Sequence, residues 1–151
     1  MRIIHPVSGE AFIAHVEGDV ERGHSSFLAA RETFKAILRD RGEYSAALAL
    51  VALLDAIYGR REAALHEIQG AMELTPVARD PLGGMEFLAD RAVVYGWIGE
   101  RDKAIEQLAA IVTLPGTPAV GSLKLDPVWD PIRDDPRFAP LIAEAAKRIS
   151  V

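Results

Sequence analysis

Four aspartates near the C-terminus, Asp126, Asp130, Asp134 and Asp135, supply hard oxygen ligands that a calcium loop could use. A calcium loop needs carboxylates at alternate positions and a glycine at the sixth, and neither pattern is present. Asp80, Asp126, Asp130 and Asp135 each precede a proline. Aspartate is a good helix N-cap and proline suits the first helical position, so these pairs are expected to start helices. His5, His15, His24 and His66 include no pair three or four apart, the spacing a helical zinc site requires. There is no cysteine, which removes thiolate ligands, disulfides and cysteine nucleophiles. Ser8 and Ser122 lack a nucleophile elbow, and Gly83–Gly84 and Gly96 with Gly99 match no phosphate-binding pattern. Arg60, Arg61, Arg101 and Lys103 are interleaved with Glu62, Glu100 and Asp102, as in a solvated turn. The expectation is a non-enzyme with no cofactor, no metal and no catalytic residues.

The elements that would position any site are helices. The chain has 151 residues, half of them apolar and about a quarter charged, enough for a real core. Its longest apolar run, Ala46 to Leu54, ends at Asp55 and is far short of the ~20 residues that span a bilayer. The opening residues, MRIIHPVSGE, lack the apolar region of a signal peptide, so a cytoplasmic location is expected. A net charge of −5 argues against nucleic acid or anionic membranes as partners.

Prolines are absent between Pro6 and Pro76 and between Pro81 and Pro115, and alanine, the best helix former, is abundant there. Ala64, Leu65, Ile68, Ala71 and Met72 form a helical stripe within Glu62 to Glu73, stopped by Pro76. Arg101 to Val112 repeats this with Ala104, Ile105, Leu108, Ile111 and Val112. Glu43 to Tyr58 is apolar nearly all round, as a helix covered on most sides is, and Gly59 allows a left-handed cap. Gly84 to Ile98, ended by Gly99, is similar. Upstream, Glu21 to Asp40 reads as one long helix, preceded by a short one near Gly9 to Glu17 that Gly18 ends. The break before Glu43 falls at Arg41 and Gly42. The fold class is all-α.

Shifting the chain by 40 residues superposes Leu48 on Leu88, Ala52 on Ala92, Gly59 on Gly99, Ala64 on Ala104 and Ile68 on Leu108. A weaker third copy contains Ala11, Gly18 and Phe27, with Gly23 in place of Ala64. Counted from Ser45, small residues at Ala52, Ala64 and Ala71, the turn glycine Gly59 and the terminal Pro76 resemble the tetratricopeptide repeat family. The unit counted from Met85 supplies Ala92, Tyr95, Gly99 and Ala104, but departs at Ile111 and Pro115. The family period is 34 residues, so residues 79–84 are read as an insertion. The resemblance implies a short solenoid of antiparallel helix pairs in one domain, residues 1–151. A degenerate unit is expected at about 4–42, clear units at about 43–78 and 83–116, and a capping tail at 117–151.

The family's groove positions fall on Ala46, Ala49, Leu53, Ala56 and Ile57, then on Glu86, Ala89, Val93, Gly96 and Trp97. The resemblance therefore implies concave-face binding of a peptide or protein by Ala49, Leu53, Ala56, Glu86, Ala89, Val93 and Trp97. The carboxylate clamp of chaperone-binding relatives is missing, since its positions hold Ala49, Leu50, Leu53, Ala89, Asp90 and Val93. A second use of the groove is to receive the tail, through Trp129, Phe138 and Leu141. The tail carries Leu123, Leu125, Trp129, Ile132, Phe138, Leu141 and Ile142, too much apolar surface to leave in water. It also resembles the ends of repeat regions in large bacterial signalling proteins. The implied function is a protein-interaction scaffold. The alternatives are a self-association module, as in a homodimer, and a regulatory segment related to those signalling proteins.

Overall fold

The computed structural model describes residues 6–41, 44–115 and 117–148; His5, the break at Gly42 and the outermost limits of the repeat units lie outside these. Among the described residues there are nine α-helices and no strand. They fall into two compact units, Met1–Leu74 and Thr75–Val151. The first holds α1 (Pro6–Val16), α2 (Val20–Arg41), α3 (Ser45–Ile57) and α4 (Arg61–Leu74). The second holds α5 (Pro81–Trp97), α6 (Arg101–Ile111), α7 (Val120–Leu125), a 3-10 turn at Pro127–Trp129, α8 (Asp130–Arg133) and α9 (Phe138–Lys147). Helices α1 and α2, α3 and α4, and α5 and α6 form adjacent antiparallel pairs. Among the described residues no helix is long and apolar enough to cross a membrane.

The same turn joins all three pairs. Gly18, Gly59 and Gly99 have φ of 75°, 78° and 86°, a conformation that costs glycine little. In each, the glycine N–H donates to the carbonyl three residues back, and the next residue's N–H to the carbonyl five back: Asp19 to Ala14 at 3.0 Å, Arg60 to Asp55 at 2.7 Å, Glu100 to Tyr95 at 2.8 Å. These bonds satisfy the last carbonyls of the first helix in each pair. The second helix then begins with N–H donation from Gly23 to Asp19, Ala64 to Arg60 and Ala104 to Glu100.

Small residues recur where the paired helices approach. Ala11, Ala52 and Ala92 are fully buried on the first helices, and Gly23, Ala64 and Ala104 are buried on the second. The glycine in the first copy has its own cause. A Cβ at Gly23 would lie 2.6 Å from the Tyr58 hydroxyl, which donates to the Ala11 carbonyl at 3.0 Å. The Tyr58 ring stacks on Phe27 with centroids 4.5 Å apart, and its burial pushes the phenol's pKa upward. Phe34, Val51 and Leu54 continue this core.

Several expectations need correction. The helix expected from Gly84 begins at Pro81, so most of the insertion lengthens α5. Asp80 caps it, accepting the Gly83 N–H at 3.0 Å. Gly84 lies where a Cβ would come within 2.6 Å of the Val77 backbone. Of the other Asp–Pro pairs, Asp126 caps the 3-10 turn, but Asp130 lies inside α8 and Asp135 precedes α9 by more than a cap position. Their carboxylates bind Arg133 and Arg137 instead. In the tail, Leu123, Trp129, Ile132 and Phe138 are buried as expected, whereas Leu125, in the last turn of a six-residue helix, is 81% exposed.

Candidate functional site

The most unusual chemistry in the first unit is a layer of charge. Asp55 sits in α3, on an otherwise apolar helix, and is fully buried. Arg31 reaches it from α2: Nε lies 2.9 and 3.3 Å from the two carboxylate oxygens, and Nη2 lies 3.2 Å from Oδ2. Arg60, in the turn, stands 3.7 Å from Oδ1 and is about half exposed. The bidentate fork suits a guanidinium and raises the Arg31 pKa, chiefly through its hydrogen bonds to Asp55.

Glu67, from α4, completes the layer. Its Oε1 is 3.6 Å from Arg31 Nη2, beyond a good hydrogen bond. Its Oε2 is buried and accepts no N–H or O–H among the described residues. The Asp55 carboxyl shares Arg31 Nη2 with it, at 3.2 Å against 3.6 Å, and two carboxylates bond only if one carries a proton. Burial first, then Asp55, push the Glu67 pKa up to about 8, against the opposing pull of Arg31 and Arg60.

The corresponding positions of the second unit, 40 residues on, hold Tyr95 and Gln107. Arg91 donates from Nε to Gln107 Oε1 at 3.0 Å, and from Nη2 to the same oxygen. The guanidinium carbon stands 5.9 Å from the Tyr95 ring centroid, as does Lys103 Nζ. Tyr95, Lys103, Glu106, Gln107 and Ala110 line a shallow open depression of about 300 Å³.

The tail closes over the far end of α5. Trp97 Nε1 donates to the Val128 carbonyl at 2.9 Å, and a Cβ on Gly96 would meet Ile132 and Pro131 at ordinary contact distance. Trp129 packs near Phe138, with ring centroids 6.4 Å apart. Arg133 takes the Leu123, Lys124 and Asp126 carbonyls at 2.9, 2.6 and 2.7 Å, satisfying the end of α7. Ion pairs tie the tail to the start of α6: Arg101 to Asp134 at 2.5 Å and Arg137 to Asp102 at 2.7 Å. Arg137 also hydrogen-bonds Asp135 through its side chain and its backbone N–H, which holds that carboxyl well below the usual range. The four aspartates that raised the question of calcium are thus engaged with arginines or backbone N–H groups.

Of the residues read as groove-lining in the first unit, Ala49 and Ala56 are buried and Leu53 is half-buried. In the second unit Ala89 and Val93 are buried, while Glu86 and Trp97 are half-buried, Trp97 being held by the tail. The layer of Arg31, Asp55 and Glu67 was not foreseen. Its one signal in the sequence was a lone carboxylate, Asp55, on the most apolar helix. The chain matches no protein-family profile, no curated protein and no solved structure.

Proposed function

We propose that this protein is a non-catalytic scaffold of tetratricopeptide-like helix pairs that binds a peptide or protein partner. The reading rests on one observation: the helix–glycine–helix turn recurs three times with the same backbone hydrogen bonds and with small residues at matching positions. Repetition of a pairing unit, rather than convergence of reactive groups, is the pattern of proteins that use helix faces for recognition. The half-buried first-helix residues Leu53 and Ile57 on α3 are the side chains such a partner would meet in the first unit. Affinity capture from source-cell extract tests this, using the wild-type chain beside Leu53→Glu and Ala110→Glu. A partner lost with the first variant and kept with the second supports the reading. Failure to capture a partner, or equal capture by both variants, opposes it.

Self-association is the second reading. Ile13, Val16, Val20 and Leu28 of the first pair are exposed, Val20 by 83%, and exposed apolar side chains suit burial against a second copy. Mass measured across protein concentration separates the two: a concentration-dependent dimer favours self-association, a monomer the scaffold.

A further inference from the structure

We propose that Asp55 and Glu67 hold one proton between them at neutral pH, and that this proton latches α4 to α3 and, through Arg31, to α2. Asp55 has no access to water and is bound by the Arg31 fork. One guanidinium thus meets one carboxylate in full. A second carboxylate in the same layer finds Arg31 at 3.6 Å and a buried oxygen with no donor aimed at it among the described residues. Ionised, it would repel Asp55 across a low-dielectric space; neutral, its hydroxyl donates to Asp55 and the layer is satisfied. The charged groups facing Glu67 are Arg31 from α2, Asp55 from α3 and Arg60 from the turn; Glu32 acts one step removed, on Arg31. Arg60 is about half exposed and so is screened, which leaves Arg31 to serve two carboxyls.

The sign of the pH effect follows. Glu67 titrates higher in the folded chain than in the unfolded one, so over the interval between the two values the native state holds a proton that the unfolded state has released. Stability of the first unit therefore falls as pH rises from the ordinary glutamate range to about 8 and levels off above it. The folding constant drops by up to about tenfold per pH unit within that interval. The latch is released by alkali. Histidine-based latches respond to acid.

The decisive experiment uses the full chain, wild type and Glu67→Gln. The titration of the Glu67 side-chain carboxyl is followed by carbon NMR, and amide hydrogen exchange is measured from pH 5.5 to 9. The carboxyl should titrate two or more pH units above an ordinary glutamate, whose value is about 4.3. Glu67→Gln supplies a permanent donor, so amides of α2, α3 and α4 should be better protected than in wild type above pH 7, and the wild-type decline with pH should flatten. Amides of α5 and α6 serve as the internal reference and should not respond. A Glu67 midpoint in the ordinary range, or a Gln variant less protected than wild type at every pH, would overturn the proposal by showing an ionised Glu67 paired with Arg31. Should the variant fail to fold, the wild-type titration decides alone.

Discussion

The pairs α3–α4 and α5–α6 come from one repeated pattern, yet they solve the same positions with opposite chemistry. Asp55 and Glu67 in the first become Tyr95 and Gln107 in the second. Asp55 is fully buried, Glu67 is partly buried beside it, and the two draw a guanidinium from a separate helix, α2. Tyr95 and Gln107 are both half-buried, and Gln107 draws on Arg91 from the neighbouring helix of its own pair, α5. The full burial of Asp55, against the partial burial of Tyr95, is the deciding variable. A neutral amide can leave part of its bonding to water, whereas a buried carboxylate without a cation costs several kcal/mol. The first pair therefore depends on α2, and the second is steadied by the tail over Gly96 and Trp97. Equivalent helix pairs thus acquire different dependencies while keeping their shared turn.

The sharpest way to break this comparison is Arg31→Met. It strands the Asp55 carboxylate in the interior, and breaking a buried pair from one side costs about 3–5 kcal/mol. Urea unfolding reads the loss directly. A loss below ~1 kcal/mol would mean that water reaches Asp55 and that the two layers are alike. Trp129→Ala tests the other dependency. Removing a fully packed ring costs about 3–5 kcal/mol, and hydrogen exchange should place the damage in α5–α6 and leave α3–α4 protected. Damage spread evenly over both pairs would contradict separate dependencies.

A smaller effect is expected from Ala64→Leu and Ala104→Leu. Both alanines are fully buried between paired helices, and overpacking costs about 1–3 kcal/mol. Ala110→Leu, on the exposed side of α6, should stay within about 0.5 kcal/mol of wild type. Equal tolerance at all three positions, measured by thermal melting, would contradict the shared register. The smallest effect belongs to Gln107→Glu. The new carboxyl meets Arg91, with Tyr95 standing where the first unit has Asp55, so NMR should find it titrating at or below the ordinary glutamate range. A raised midpoint there would show that the position, not the Asp55 neighbour, shifts Glu67.

Much of the fold was legible because local rules and packing agree. Gly18, Gly59 and Gly99 end helices where the apolar stripes stop, and Ala52, Ala64, Ala92 and Ala104 mark the close approaches. The tail's burial followed from its aromatic and branched residues with nothing else to cover them. The start of α5 was misplaced because Gly83 and Gly84 read as a loop, whereas the Asp80 cap and Pro81 carry the helix through them. Leu125 was misjudged because a six-residue helix has too few turns to bury two opposite sides. The charged layer was hidden for a different reason. Arg31, Asp55 and Glu67 come from three helices, and nothing in the local sequence around Arg31 or Glu67 points to the other two. Only Asp55 was out of place, and one residue does not reveal its partners.

The Tyr58 hydroxyl completes the first helix pair from outside it, and that has a consequence for synthesis. The bond from Tyr58 to Ala11 spans 47 residues, and Gly23 leaves the room the phenol occupies. A ribosome adding about 5–20 residues per second needs ~2–9 s to make that stretch, while helices form in microseconds or less. The α1–α2 hairpin therefore emerges with its Phe27 face and the recess at Gly23 uncovered, and waits seconds for the ring that fills it. Until Tyr58 is made, that face and recess lack the ring that fills them in the folded chain.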